Sequence, residues 1–287
     1  VTRRLARRLV IAGAVVAGVV VLAAAGVCVQ SQRILRKTYD VPLTPVVVPA
    51  DSASIAEGAR LAATRGCPAC HGDRLEGRVF FAQRWVARVV APNLTRAARE
   101  QSDAELARVI RHGVRRDGTS VFAMPSGTFA GLTDADLGRL IAYLRSVPPV
   151  DGPGYELTVG PLGRLGLVTG KYAPVAPRIE LAAVGRPVPR EAAAPVARNP
   201  KVLGRYIART VCSECHGGDL QGEHRLRTPS LARAAGYAEA DFTALLRTGV
   251  ATGGRPLGVM GDAARQRFAH LTDDEVVGLY LYLQSLE

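Results

Sequence analysis

The chain is poor in aromatic residues, lysine, methionine and cysteine. Aromatics are 5% of its 287 residues, with a single Trp. Apolar residues reach 48%, which excludes wholesale disorder. So few rings still fill two compact cores thinly, unless something other than side chains occupies them. Five Cys exclude a disulfide-dense scaffold. Three Lys stand against 34 Arg, and the formal net charge is +12. Residues 1–51 and 52–150 each carry +5, residues 151–200 carry +2, and residues 201–287 are neutral. No basic run is interleaved with stacking aromatics, so the charge does not describe a nucleic-acid surface.

Charge is missing altogether from Leu9 to Val29. At about 1.5 Å per residue this run spans a bilayer core of roughly 30 Å. Arg3, Arg4, Arg7 and Arg8 precede it; Arg33, Arg36 and Lys37 close it. A secretory signal has a shorter apolar run, of about 7–15 residues, so an uncleaved anchor over 1–30 is expected. Ala23-Ala24-Ala25 leaves cleavage as the alternative. The leading arginines predict a cytoplasmic N-terminus, with everything after the span on the far side of a bacterial cytoplasmic membrane. Membrane lipid then contacts residues 9–29. Pro42, Pro45 and Pro49 suggest a stalk over 31–51.

An internal repeat organises the remainder. GARLAATRGCPACHGDRLEGR from Gly58 matches GRYIARTVCSECHGGDLQGEH from Gly204. Residues 102–114 match 239–250, and 131–147 match 270–286, in the same order. Two copies of one unit are expected, over 52–150 and 201–287. Each closing segment opens on Leu-Thr-Asp, with Thr133 or Thr272 as helix N-cap, and continues with apolar residues at helical spacing. No strand alternation stands out, so mainly α units are expected. Residues 151–200 form a Pro-rich linker, extended over 184–200; the more apolar 157–170 packs on a unit or rests near the membrane.

Four of the five Cys lie in Cys67-Pro-Ala-Cys70-His71 and Cys212-Ser-Glu-Cys215-His216. Cys residues three apart on a helical turn share one edge, where each can add to a haem vinyl group. The His that follows then points at the iron, and this is the c-type attachment pattern. A redox dithiol needs a βαβ setting, which is absent; a zinc site does not explain a His directly after each pair. Two covalently attached haem c groups are therefore expected. The only two Met, Met124 and Met260, fall once per unit before the last helix, as a soft sixth iron ligand would. The expected iron ligands are His71 and Met124, and His216 and Met260. Pro92 and Pro229 occupy matching places, and their carbonyls can accept from the ligand imidazoles. Gly58 and Gly204 can let the first helix of each unit approach Tyr143 or Tyr282 on the last. His112, His224 and His270 read as ordinary structural or surface histidines.

Both units resemble class I c-type cytochrome domains. PNLT, HGVRRDGTSVFAMPS and LTDADLGRLIAYL, and later LGVMGDAA with HLTDDEVVGLYLYLQSL, are similar to the cytochrome subunits of membrane-bound alcohol, aldehyde and gluconate dehydrogenases. The resemblance implies a transmembrane helix followed by two class I cytochrome c domains. It assigns Cys67, Cys70, His71 and Met124 to one haem, and Cys212, Cys215, His216 and Met260 to the other. Those subunits usually carry three haem sites, and this chain carries two attachment motifs. The expected function is one-electron transfer at the outer face of the membrane. The partners are redox proteins: a dehydrogenase, a quinol-oxidising complex or a terminal oxidase. A dihaem peroxidase is the enzymatic alternative, but it needs an open iron position and acid/base groups that are not duplicated here.

A unit of about 90 residues is marginal on side-chain burial alone, and an apolar macrocycle would complete its core. Protein made without haem attachment is expected to lack a cooperative thermal transition in circular dichroism; a native-like transition would refute this account.

Overall fold

The computed structural model describes residues 2–179, 199–224 and 226–286. Helix α1 (Thr2–Arg36) carries the uncharged run, and its apolar side chains from Leu9 to Leu22 are exposed. It continues six residues past the expected anchor. Ser31 explains this turn: its Oγ donates to the Cys28 carbonyl at 3.0 Å and is fully buried beneath Arg164. The segment expected as a stalk instead lies along the first unit. Tyr39 N donates to Gly118 O at 2.9 Å, and Thr38 bridges Thr119. Val46 and Val48 pack against the core.

In the first unit, α2 (Ser52–Thr64), α3 (Cys67–His71), α4 (Leu94–Glu100), α5 (Asp103–His112), α6 (Ser126–Phe129) and α7 (Asp134–Ser146) follow in order. Caps explain where several begin: Asp51 before α2, a Ser102/Glu105 capping box before α5, and Thr133 before α7. A Cβ at Gly58 would collide with the Arg139 carbonyl and meet Tyr143 Cβ at 2.9 Å. The absent side chain is thus what lets α2 cross α7 at backbone distance.

The described chain is mainly helical, as expected, and it also contains strands that no alternation marked. Strands β1 (Arg78–Gln83) and β2 (Ala87–Ala91) form an antiparallel hairpin between α3 and α4. Strand β3 (Glu156–Val159) adds to β2, giving a three-stranded sheet. The strand pattern was illegible because β1 is exposed along its whole length, so no buried face imposes alternation. Strand β3 comes from the segment expected as linker, and α8 (Pro161–Val168) packs beside α1. Farther on, Ala176 N donates to Ser120 Oγ at 2.9 Å. Residues 151–179 therefore belong with the first unit. The extended run expected over 184–200 lies outside the described residues up to residue 198.

The second unit repeats the plan. Helix α9 (Pro200–Ile207) leads through a π-helical turn (Ala208–Cys212) into α10 (Ser213–His216). Then come α11 (Glu239–Thr248), the short pair β4 (Val250–Ala251) and β5 (Arg255–Pro256), α12 (Val259–Gln266) and α13 (Asp273–Leu283). Thr272 and Glu275 form the capping box of α13. A Cβ at Gly204 would collide with the Gly278 carbonyl and meet Tyr282 Cβ at 2.8 Å, repeating the crossing at Gly58.

One apolar cluster runs through both units, joining Leu137 and Ile141 of the first to Tyr206 and Ile207 of the second. Polar contacts pin the seam. Tyr206 Oη donates to Asp136 at 2.6 Å. Arg60 bridges Glu57 and Glu275, each at 2.6 Å, and donates to the His270 carbonyl at 3.0 Å. Gly204→Val should cost about 1–3 kcal/mol by forcing α9 off α13, read as a lowered Tm for the second unit. An unchanged Tm would contradict the close crossing.

Candidate haem-attachment sites

In the first unit α2 ends at Thr64, and two residues on Gly66, with φ of +73°, turns the chain into the single helical turn of α3. Cys67 and Cys70 share an edge of that turn, and His71 closes it, buried. The second unit reaches the same place without a glycine, through the π-helical turn that ends at Cys212. Such turns concentrate at functional sites.

Each histidine is tethered in the same way. His71 Nδ1 donates to the Pro92 carbonyl at 2.8 Å, and His216 Nδ1 donates to the Pro229 carbonyl at 2.8 Å. A carbonyl can only accept, so Nδ1 carries the proton and Nε2 is left bare for a metal. Burial pushes the His71 pKa down, against the Pro92 bond, which keeps the ring neutral.

The loops that bring those carbonyls into place repeat bond for bond. Gly77 N donates to His71 O at 2.6 Å, and Gly222 N to His216 O at 2.8 Å. Leu94 N donates to Leu75 O at 2.8 Å, and Leu231 N to Leu220 O at 2.9 Å. Leu75 and Leu220 are both buried and both left-handed, with φ of +61° and +64°. Leucine rarely adopts this backbone, and such positions gather at functional sites. The signal in the sequence was the shared Gly-x-x-Leu-x-Gly after each attachment motif, at 72–77 and 217–222.

A cavity of about 680 Å³ is lined by Cys67, Cys70, His71 and Met124 together. This lies within the roughly 300–1,000 Å³ of cofactor pockets. Its walls include Val90, Leu106, Ile110 and Leu140, all buried. Two thiols, a bare imidazole nitrogen and a thioether on one apolar cavity fit a covalently held haem. In the second unit, Met260 on α12 and Cys212 pack against the same core cluster. Burial pushes the Cys67 thiol up to about 11 and that of Cys212 up to about 12, which disfavours the thiolate a redox dithiol needs. None of His112, His224 and His270 lines the first-unit cavity.

Residues not singled out by the sequence join the two sites. Arg267 forms a 2.9 Å ion pair with Glu214, and its Nε donates to the Thr64 carbonyl at 3.3 Å. Arg65, buried, donates to Thr64 Oγ1 at 2.8 Å and to Thr210 Oγ1 at 3.2 Å. Both arginines oppose the effect of burial on Cys67 and on Cys212. Glu214, between the cysteines of the second motif, also lines the first unit's cavity. The two attachment turns therefore face each other across one charged cluster.

The duplication seen in these hydrogen bonds has a counterpart in known proteins: the cytochrome c family model matches residues 55–148 and 202–287. The chain belongs to the cytochrome c family. This cytochrome c is similar to the fructose dehydrogenase cytochrome subunit of Gluconobacter japonicus, with 25% identity over 279 residues, covering 85% of this chain and 55% of that one. It is similar to the cytochrome c subunit of alcohol dehydrogenase (quinone) of Komagataeibacter europaeus, at 25% identity, with 83% and 57% covered. The gluconate 2-dehydrogenase cytochrome c subunit of Pantoea cypripedii shares 26% identity, with 83% and 60% covered. The chain thus spans little more than half the length of these relatives.

Arg267→Leu should destabilise this cytochrome by about 1–3 kcal/mol, because Glu214 loses its cation at a half-buried site. Adding Glu214→Gln should recover part of the loss in urea unfolding; strictly additive losses would argue against the pairing.

Proposed function

We propose that this cytochrome c is a membrane-tethered dihaem carrier that passes single electrons between redox proteins. The observation carrying this reading is the cavity that gathers both thiols, the bare imidazole nitrogen and the thioether of the first unit. The second unit repeats its histidine tether. Bound haem supplies one-electron ferric/ferrous chemistry. Cys67 and Cys70 would hold one haem, and Cys212 and Cys215 the other, through thioether bonds to the macrocycle. His71 and His216 would be iron ligands; their carbonyl partners hold ring orientation and tautomer. Met124 and Met260 would each supply a further iron ligand, and a thioether favours the ferrous state. Arg65 and Arg267 hold positive charge beside both attachment turns, which acts in the same direction. Iron held by His and Met would offer no open position to a substrate, which supports a carrier rather than an enzyme.

Helix α1 is long and apolar enough to cross a membrane, and we read it as the anchor. The arginines before it favour haem domains on the periplasmic side. The named relatives are cytochrome subunits of dehydrogenases; by that similarity the electron donor is a membrane-bound dehydrogenase. The +5 first unit beside a neutral second unit suits an acidic docking face. A quinol-oxidising complex or a terminal oxidase remains the expected class for the other partner.

Full-length protein purified in mild detergent should contain two haem c per chain by the pyridine haemochrome assay, and a dehydrogenase should co-purify with it. Met124→Ala and Met260→Ala should each open one iron to carbon monoxide, lower one potential, and remove about half of the weak sulfur-to-iron band at the red edge of the ferric spectrum. Unmutated protein that is high-spin or binds carbon monoxide readily would overturn the carrier reading.

A further inference from the structure

A second cavity, of about 440 Å³, sits at the foot of α1, where the uncharged run has ended. Gln32, Arg36, Arg115, Tyr155, Thr158 and Arg164 line it. Three arginines line this space, and among the described residues no carboxylate does. Their charge is poorly matched by the protein. Arg164 donates to neutral oxygens, Ser31 Oγ at 2.9 Å and Gln32 Oε1 at 3.3 Å. Arg36 makes no hydrogen bond or ion pair with any described residue. Arg115 donates to the neutral Thr119 Oγ1 through Nε at 3.0 Å and through Nη2, meets Asp117 at 3.5 Å and stacks on the Tyr155 ring at 4.3 Å. Among the described residues, the buried Tyr155 hydroxyl has no hydrogen-bond partner. Three cations and a free phenol donor around one hollow are the recognition set of a phosphate ester.

The surroundings indicate which phosphate. Leu162, Leu165 and Val168 of α8 are exposed, although α8 packs beside α1. Trp85 is 57% exposed, and its carbonyl accepts from Leu162 N at 2.9 Å, at the start of the same helix. Exposed leucines and a tryptophan beside the end of a membrane span are what a bilayer interface accommodates. A phosphodiester in the cavity could therefore extend its acyl chains along α1 and α8.

We propose that this cavity binds the headgroup of an anionic membrane phospholipid. Arg36, Arg115 and Arg164 meet its phosphate, and Tyr155 donates to it. The site adjoins the first unit's larger cavity, since Arg115, Phe122 and Tyr155 line both. Bound lipid would thus fix the height and tilt of the first unit on the membrane. The proposal rests on the anchor reading of α1 and is independent of the electron-transfer reading.

Native mass spectrometry of the full haem-loaded chain in detergent, with phosphatidylglycerol or phosphatidylcholine added, tests it. One phosphatidylglycerol per chain should be retained at least tenfold over phosphatidylcholine. Arg36→Gln with Arg164→Gln should abolish that preference, and Arg233→Gln on the second unit should leave it intact. Equal retention of the two lipids, or a preference that survives the double substitution, overturns the site. Displacement of phosphatidylglycerol by equimolar inorganic phosphate would make it a free-phosphate site and overturn the lipid assignment. Alkaline carbonate extraction of membranes separately tests the anchor: release of the whole chain refutes the anchor, whereas retention without lipid selectivity refutes only the headgroup site.

Discussion

A backbone carbonyl held against an imidazole Nδ1 is the constraint around which each unit is built. For Pro92 or Pro229 to stand 2.8 Å from its histidine, the chain after the attachment turn must double back within a few residues. That reversal runs through a buried leucine in the left-handed region and a glycine that donates to the histidine's own carbonyl. The strain is repaid by fixing the ring that presents Nε2 to the cavity. The first unit inserts a β-hairpin between the histidine and its carbonyl, the second only a short loop, and both end in the same bond. The tether, more than the intervening structure, is what the repeat preserves.

The units meet at their attachment turns. Thr64, Arg65 and Gly66 of one lie against Thr210, Glu214 and Arg267 of the other. Gly66 serves twice: its positive φ turns the chain, and its missing side chain admits Arg267 at 2.8 Å from where a Cβ would stand. Burying arginine is costly unless it is paired or hydrogen-bonded; here one carboxylate, two hydroxyls and a carbonyl share the task. This arrangement brings the two proposed haem sites together without a linker having to position them, consistent with one apolar cluster crossing the seam.

The first unit also gathers what surrounds it. The strap after α1, strand β3 and helix α8 all pack on it, so the foot of the anchor and the first cavity share walls. A unit bound this way cannot swing freely above its anchor. Its redox site is held at a defined place relative to α1.

Chemistry carried by short spacing was determined by the sequence alone: the attachment motifs, one methionine per unit, the capped helices and the uncharged run. Each depends on neighbours within a helical turn or on a repeat of fixed order, and both leave a mark in one dimension. The crossings at Gly58 and Gly204 were legible because a missing side chain recurs at matching places. Tertiary structure alone decided the sheet, since β1 has no buried face to enforce alternation and β3 lies 65 residues beyond β2. It also decided that residues 38–50 pack on the first unit, and that of the two places expected for the apolar 157–170, on a unit or near the membrane, the first unit takes it together with the residues on either side. Above all it decided the partners of Arg65, Arg267 and Arg164. An arginine in a sequence carries only its charge; whether that charge meets a carboxylate, a hydroxyl or an open cavity depends on residues far along the chain, 53 positions away for Glu214 and Arg267 and 203 for Thr64 and Arg267.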